Sequence, residues 1–313
     1  MPQPITPATL QGAFQNFSTR FEQGRKAMAP KMWWDQVAMR VPSTTEEEIY
    51  AWLQELPVVR KWRKGSPRKV NRIGANGYRL ANEKFEDTIA VEREKIEDDK
   101  IGLYMPMFDS LGRQVAKFPD RQLATAIKAN GTCFDGKAFF ATDHPVDMNN
   151  ADAGTYSNLF VGAGYALTET NFNDAFAAFA TLKAENGEPM GLQPDKLMVP
   201  PQLRDKANKI VKASVVAVTQ GSGAAAVTNT NQDLVKVVVV PELADVSHRW
   251  HLACTDLGVS PLIYQFREES GLVSRTREDD PAVFDMDEYI YGVRIRAAFG
   301  YGLPYLMAEY RTS

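Results

Sequence analysis

Residues 58–72 read VVRKWRKGSPRKVNR and residues 83–99 read EKFEDTIAVEREKIEDD, and the contrast between the two stretches organises the rest of the chain. The first holds Arg60, Lys61, Arg63, Lys64, Arg68, Lys69 and Arg72 with no acid among them. The second carries Glu83, Glu86, Asp87, Glu92, Glu94, Glu97, Asp98 and Asp99. Gly65, Pro67, Gly74 and Gly77 puncture the region, while Phe85, Ile89 and Val91 keep a partial period of two. That pattern predicts a long, mostly solvated two-stranded excursion in which a basic strand faces an acidic one. A lone hairpin is marginal in water, so this one must lean on something else.

On the N-terminal side, Leu10, Phe14, Phe17 and Phe21 follow spacings of four, three and four after a proline-punctuated start, which is one stripe of a helix. Such a stripe either packs on its own core or docks, as an arm, on another subunit. Ser43 with Glu46 three positions later reads as a capping box, opening a short helix through Ile49, Trp52 and Leu53 that stops at Pro57. On the C-terminal side, Leu103, Met107, Leu111 and Val115 continue through Leu123 and Ile127. Phe118-Pro119-Asp120 predicts a bend or restart within this helix, and Asn130-Gly131 ends it.

A second helix is predicted from Thr168, with Phe172, Phe176, Phe179 and Leu182 on one face, to about Asn186-Gly187. Lys196 to Val199, Pro200-Pro201 and the run Leu203, Ala207, Ile210, Val211 form a βα unit. Gly221 to Ala226 reads as a flexible loop. Strands follow at 236–240, 249–254, 262–268 and 289–299, so the last third is β-rich.

The chain has 313 residues, enough for two ordinary domains, with 44% hydrophobic and 24% charged residues. Thirty-six Lys and Arg against 39 acids, a net charge of -3, speak against a protein whose main task is gripping nucleic acid. No apolar run approaches the roughly 20 residues that cross a bilayer, and the sequence reads as soluble and cytosolic, with no membrane partner. Cys133 and Cys254, the two cysteines, show no CxxC or Cys/His ligand spacing, which writes neither a disulfide framework nor a zinc site.

Signals for chemistry are weak. Gly221-Ser222-Gly223 and Gly162-Ala163-Gly164 lack the rest of a dinucleotide fingerprint, and no GxxxxGK[ST] occurs. Asp143-His144 supplies half of an acid–base pair without a nucleophile elbow; neighbours in sequence usually point apart. His248 and His251 read as ordinary strand residues, and Glu97, Asp98 and Asp99 as a solvated turn without EF-hand spacing. The sequence therefore assigns no catalytic, cofactor-binding or metal-ligating residue. A hydrolase using Asp143 and His144 is the enzyme alternative.

Several segments resemble the major head subunit T family of Mu-like phages and prophages: Val41-Pro-Ser-Thr-Thr with Tyr50-Ala-Trp-Leu, Phe85-Glu-Asp-Thr-Ile with Ile96-Glu-Asp-Asp, FFATDHP at 139–145, LMVPPQL at 197–203, and Phe284 to Arg296 with Gly300-Tyr-Gly. The combination spans nearly the whole chain in order. The resemblance implies an α+β, Hong Kong 97-like major capsid fold and a shell of pentamers and hexamers enclosing double-stranded DNA. It implies no enzyme activity, no cofactor, and a place in the virion after assembly in the bacterial host cytoplasm. Transferred to this chain, 1–57 is the N-terminal arm and a short helix, 58–96 the extended loop, 97–189 the peripheral domain with its spine helix, 190–255 the axial domain, and 256–313 strands returning to the peripheral domain. The arm's Phe14, Phe17 and Phe21 and the loop's Arg60 to Arg72 become inter-subunit contacts, and Gly221, Ser222 and Gly223 a loop near the capsomer centre. Folded-looking sequence from about residue 8 implies a separate scaffolding protein, alongside a portal. A shell of the encapsulin type is the alternative on the same fold.

Overall fold

The computed structural model describes residues 5–50, 77–98, 100–148, 150–184, 187–220, 223–269 and 271–312. Arg60 to Arg72, Gly221 and Ser222 lie outside the described residues.

Two five-stranded sheets carry the chain. In the first, β1 (Ala38–Pro42) runs parallel to β13 (Leu262–Glu269), which pairs antiparallel with the 14-residue β15 (Glu288–Tyr301). β14 (Val273–Arg275) also joins β15, and β4 (Glu83–Glu92) pairs along ten of its residues. The period of two in β15 does what the sequence dictates, burying Tyr289, Tyr291, Val293, Ile295 and Ala297 on one face.

Against that face lie α1 (Pro7–Met28) and α3 (Met105–Ala129). Thr6 caps α1 by accepting from the Thr9 N–H, with Pro7 at the first position. Phe17 stacks on Phe108 of α3 at 4.1 Å between ring centroids, and Tyr291 meets both edge-on at 5.1 and 5.5 Å. The two helices touch backbone to backbone: a Cβ on Gly112 would sit 2.0 Å from the Phe21 carbonyl oxygen, and one on Gly24 2.1 Å from that of Asp109. Phe17 and Phe21 are fully buried within this chain. That corrects their reading as inter-subunit contacts; Phe14 on the same helix is half-buried.

The second sheet has the order β11-β8-β12-β16-β7. β8 (Lys196–Val199) and β11 (Lys236–Val239) are parallel, and between them the chain forms α5 (Arg204–Val211) and a hairpin of β9 (Val215–Gln220) with β10 (Gly223–Thr228). β12 (Arg249–Ala253) pairs with β8 and with β16 (Met307–Arg311), and β7 (Leu159–Val161) lies parallel to β16. Leu197 and Val199 point to α5 and α4 (Glu169–Thr181), where Phe172, Phe179 and Ala207 are buried. Met198 faces the other way, onto Leu123, Ala124 and Ile127 of α3. One helix thus serves both sheets. The small elements are α2 (Arg93–Glu97), α6 (Pro281–Met286) and the pair β5 (His144–Pro145) with β6 (Thr155–Tyr156).

Several expectations change. Residues 47–50 form a strand, β2 (Glu47–Tyr50), paired antiparallel with β3 (Tyr78–Ala81), not a helix. The Ser43 hydroxyl bonds Glu48 instead of capping a helix with Glu46, so cross-strand pairing overrides the local signal. The acidic strand β4 belongs to the first sheet, with Glu86 opposite Arg294 and Lys84 opposite Arg296. α3 runs unbroken through Pro119, because Phe108, Leu111 and Val115 before it and Leu123 and Ile127 after it are anchored in packed cores. It ends as read, at Asn130 in the left-handed conformation (φ 48°). α4 stops at Thr181, ahead of Asn186-Gly187. Gly223 to Ala226 is strand, not loop. Residues 307–311 lie between β12 and β7 in the second sheet.

Candidate functional site

The root of the excursion is built from polar side chains that the hydrophobic pattern does not reveal. β2 and β3 end at the pair Tyr50 and Tyr78, between which residues 51–77 run. The Tyr50 hydroxyl donates to Gln265 Oε1 (2.8 Å), while Gln265 Nε2 donates to the Leu80 carbonyl (3.2 Å) and to Asn82 Oδ1 (2.8 Å). Asn82 Nδ2 in turn donates to Ser43 Oγ (2.8 Å). Gln265 is fully buried on β13, so the lattice ties the root to the first sheet. The Glu48 carboxylate accepts from the Thr44 and Thr45 N–H groups and from both neighbouring hydroxyls; these bonds, led by Thr44, hold it below the usual carboxylate range. Outside, Arg79 pairs with Glu47 at 2.7 Å. Along β4, Glu83, Glu86 and Asp87 are exposed.

Two buried charged clusters occupy the second sheet and its border. On adjacent strands, His251 Nε2 lies 3.1 Å from Glu309 Oε2, flanked by Arg249 (3.5 Å) and Arg311 (3.3 Å). Burial works to raise the Glu309 carboxyl, but the His251 bond and the charges of His251, Arg249 and Arg311 outweigh it and hold it low. His251 is therefore a core residue of β12, as read; the structure adds its carboxylate partner.

The other cluster follows α3. A tight turn, closed by the Cys133 N–H on the Lys137 carbonyl (2.8 Å) and passing through Gly136 at φ 78°, brings Asp135 beneath His144. The His144 Nδ1 lies 2.5 Å from Asp135 Oδ2, Cys133 Sγ donates to Asp135 Oδ1 (2.8 Å), and the His144 Nε2 faces the Phe139 carbonyl (3.2 Å). Burial alone would raise the Asp135 carboxyl; bonds from His144, Cys133 and the Lys137 N–H overcome it and lower it. Burial also pushes the Cys133 thiol up, helped by its bond to Asp135. Asp143 turns outward to Lys137. Asp143 and His144 thus point apart, His144 is fully buried, and the hydrolase alternative has no accessible base. The pattern Cys-x-Asp followed nine residues later by a His is the signal that ligand-spacing templates miss.

Among the described residues, then, the polar machinery is buried and structural and no reactive group is presented. A family model described as Mu-like prophage major head subunit gpT matches residues 10–166, 159–243 and 242–312. The chain belongs to this family. As a gpT-family head subunit it is a structural protein of the virion's capsid shell, assembling with copies of itself, and not an enzyme. Membership also decides against the encapsulin-type alternative.

Similar chains agree. The major capsid protein of Escherichia phage Mu is 28% identical over 302 residues, covering 95% of this chain and 72% of that one. The Mu-like prophage FluMu major head subunit of Haemophilus influenzae is 35% identical over 147 residues, 46% of each. The procapsid of bacteriophage JBD30 superposes with a TM-score of 0.60 at 28% identity, over 99% of this chain and 77% of its own. A phage-related protein from Bordetella bronchiseptica shares the fold, with a TM-score of 0.52 at 14% identity over 94% of both chains. The fold of this gpT-family subunit is the α+β phage-capsid fold of the Hong Kong 97 type.

Proposed function

We propose that residues 58–76 form the extended loop of the shell subunit, reaching from the β2–β3 root onto a neighbouring copy, where Arg60, Lys61, Arg63, Lys64, Arg68, Lys69 and Arg72 meet acidic residues. The observation that carries this reading is the root itself: a buried lattice through Gln265 fixes both chain ends of residues 51–77, which hold seven cations and one acid, Glu55. The exposed acids of β4 offer a complementary surface on each copy. Each exposed ion pair contributes only about 0–1 kcal/mol, so the set acts by steering encounter and fixing register, which suits interfaces that must correct errors before they lock.

On the same reading residues 97–189, with α3 as the spine helix, are the peripheral domain, and residues 190–255, with α5 and β8 to β12, the axial domain. The β9–β10 hairpin, with Gly221 and Ser222 between its strands in sequence and Gly223 opening β10, then lies near the capsomer centre. A separate scaffolding protein, a portal and double-stranded DNA held without sequence-specific contacts complete the partners. A slightly acidic subunit, at net charge -3, does not trap a genome that must leave.

Deletion of residues 60–72 tests the loop. The expected outcome is a folded subunit that forms no closed shells by negative-stain electron microscopy, with wild-type assembly weakening as salt is raised. Normal shells from the deletion variant would overturn the assignment.

A further inference from the structure

The Cys133, Asp135 and His144 side chains are buried within the subunit, and their composition is unusual for a buried polar network. It holds one thiol, one carboxyl and one imidazole, and a sulfur, oxygen and nitrogen donor from them all lie within 4.8 Å of one another. We propose that Cys133 Sγ, the Asp135 carboxylate and His144 Nδ1 form a binding site for one zinc-class divalent cation.

The donor set selects the metal. Sulfur with imidazole suits a borderline-soft ion such as Zn²⁺ and disfavours Mg²⁺ or Ca²⁺, which want oxygen cages. Three protein ligands leave the fourth tetrahedral position to an oxygen donor, either solvent or the second Asp135 oxygen.

The geometry prepares each ligand. The His144 Nε2 faces the Phe139 carbonyl at 3.2 Å, which fixes the hydrogen on that nitrogen and leaves Nδ1 to point at Asp135. Metal-ligating histidines are held by this same outer bond to a carbonyl. Tyr156 stacks on the imidazole at 5.2 Å, and its pairing with His144 across β5 and β6 fixes the ring's backbone. The Lys137 N–H donates to Asp135 Oδ1 at 3.0 Å and orients the carboxylate.

Charge balance completes the argument. With one proton held in the contact between His144 Nδ1 and Asp135 and another on the Cys133 thiol, the metal-free cluster sums to zero. A divalent cation replaces the thiol proton and the proton of the His144–Asp135 contact, giving thiolate, carboxylate and neutral imidazole around a charge of two, again zero. Two protons leave for each cation bound, and no net charge enters the buried site.

Full-length protein, stripped with a chelator and dialysed against Zn²⁺, is to be measured by elemental analysis beside Cys133→Ser, His144→Gln and the control Cys254→Ser, each checked for folding by circular dichroism. The expected result is about one zinc per chain in the wild type and in Cys254→Ser, loss of binding in the other two, and release of about two protons per zinc. Replacement by Co²⁺ should give a thiolate charge-transfer band that Cys133→Ser abolishes. Wild-type protein that retains no zinc overturns the proposal without reference to any variant, as does a Cys133→Ser protein that keeps the full zinc content and the same cobalt band.

Discussion

Replacing Gly112 by alanine should destabilise the subunit even though alanine is the better helix former. A Cβ at this position would stand 2.0 Å from the Phe21 carbonyl oxygen, where ordinary contact begins near 3.4 Å, leaving it about 1.4 Å short. The obstructing atom is backbone, so no rotamer relieves the clash and α1 must lift from α3. A gap of 0.5–1 Å already forfeits about a quarter to a half of each contact's dispersion energy, and the Phe17 and Phe108 rings stacked at 4.1 Å lie in the parting interface. Overpacking of this kind costs about 3 kcal/mol at the upper end of its usual range, against about 1 kcal/mol gained from alanine's helix propensity. The net expectation is a loss of about 2 kcal/mol, read from urea denaturation of the unassembled subunit. Gly12→Ala is the control, because nothing lies within 4 Å of its Cβ; it should gain about 0.5–1 kcal/mol. Gly24→Ala should behave like Gly112→Ala, and the double variant should lose less than the sum, since one separation relieves both clashes. A Gly112→Ala subunit as stable as the wild type, beside a stabilised Gly12→Ala, would refute the backbone-contact argument.

Asp120 is buried on α3 and accepts from the Trp33 and Trp34 N–H groups; burial pushes its carboxyl up to about 7 against the N–H bonds that lower it, with Glu242 and Asp35 adding to the rise. A folded-state value above the unfolded value of about 3.9 means that stability falls as pH rises from about 4 through 7, by at most about 4 kcal/mol. Asp120→Asn should flatten that slope and be relatively more stable at pH 8 than at pH 5, as thermal melts across that range would record; an unchanged slope would count against it. Gln265→Met removes the bonds that Gln265 makes to the Tyr50 hydroxyl, the Leu80 carbonyl and Asn82 Oδ1 at a buried site, for an expected loss of about 3 kcal/mol and a fall in shell yield. Tyr50→Phe, which strands only Gln265 Oε1, should cost about 1 kcal/mol, and equal costs for the two variants would contradict the proposed lattice.

Elements with a clean period were legible from residues alone. The alternation of Tyr289, Tyr291, Val293 and Ile295 gave β15, and Thr168 and Asn130 marked helix ends by their own chemistry. What failed was decided by partners far along the chain. The register of β4 depends on β15 some 200 residues later, which a local charge pattern cannot reveal. Ser43 carries a capping signal, yet Glu48 and Asn82 claim its hydroxyl in a turn. Pro119 breaks an isolated helix, whereas packing on both sides of it decides here. The Cys133, Asp135 and His144 cluster escaped because each residue is unremarkable alone and only the turn at Gly136 brings them together.

The position of β16 also sets a timetable. Residues 307–311 lie between β12 and β7 in the second sheet, whose other strands begin as early as residue 159. Until residue 311 has left the ribosome, β12 and β7 have no strand between them, and His251 lacks the carboxylate of Glu309. Domains otherwise tend to fold from the N-terminus as they are made. A chain made only as far as β12 therefore lacks both the strand that joins the two parts of its second sheet and the counter-charge of a buried histidine.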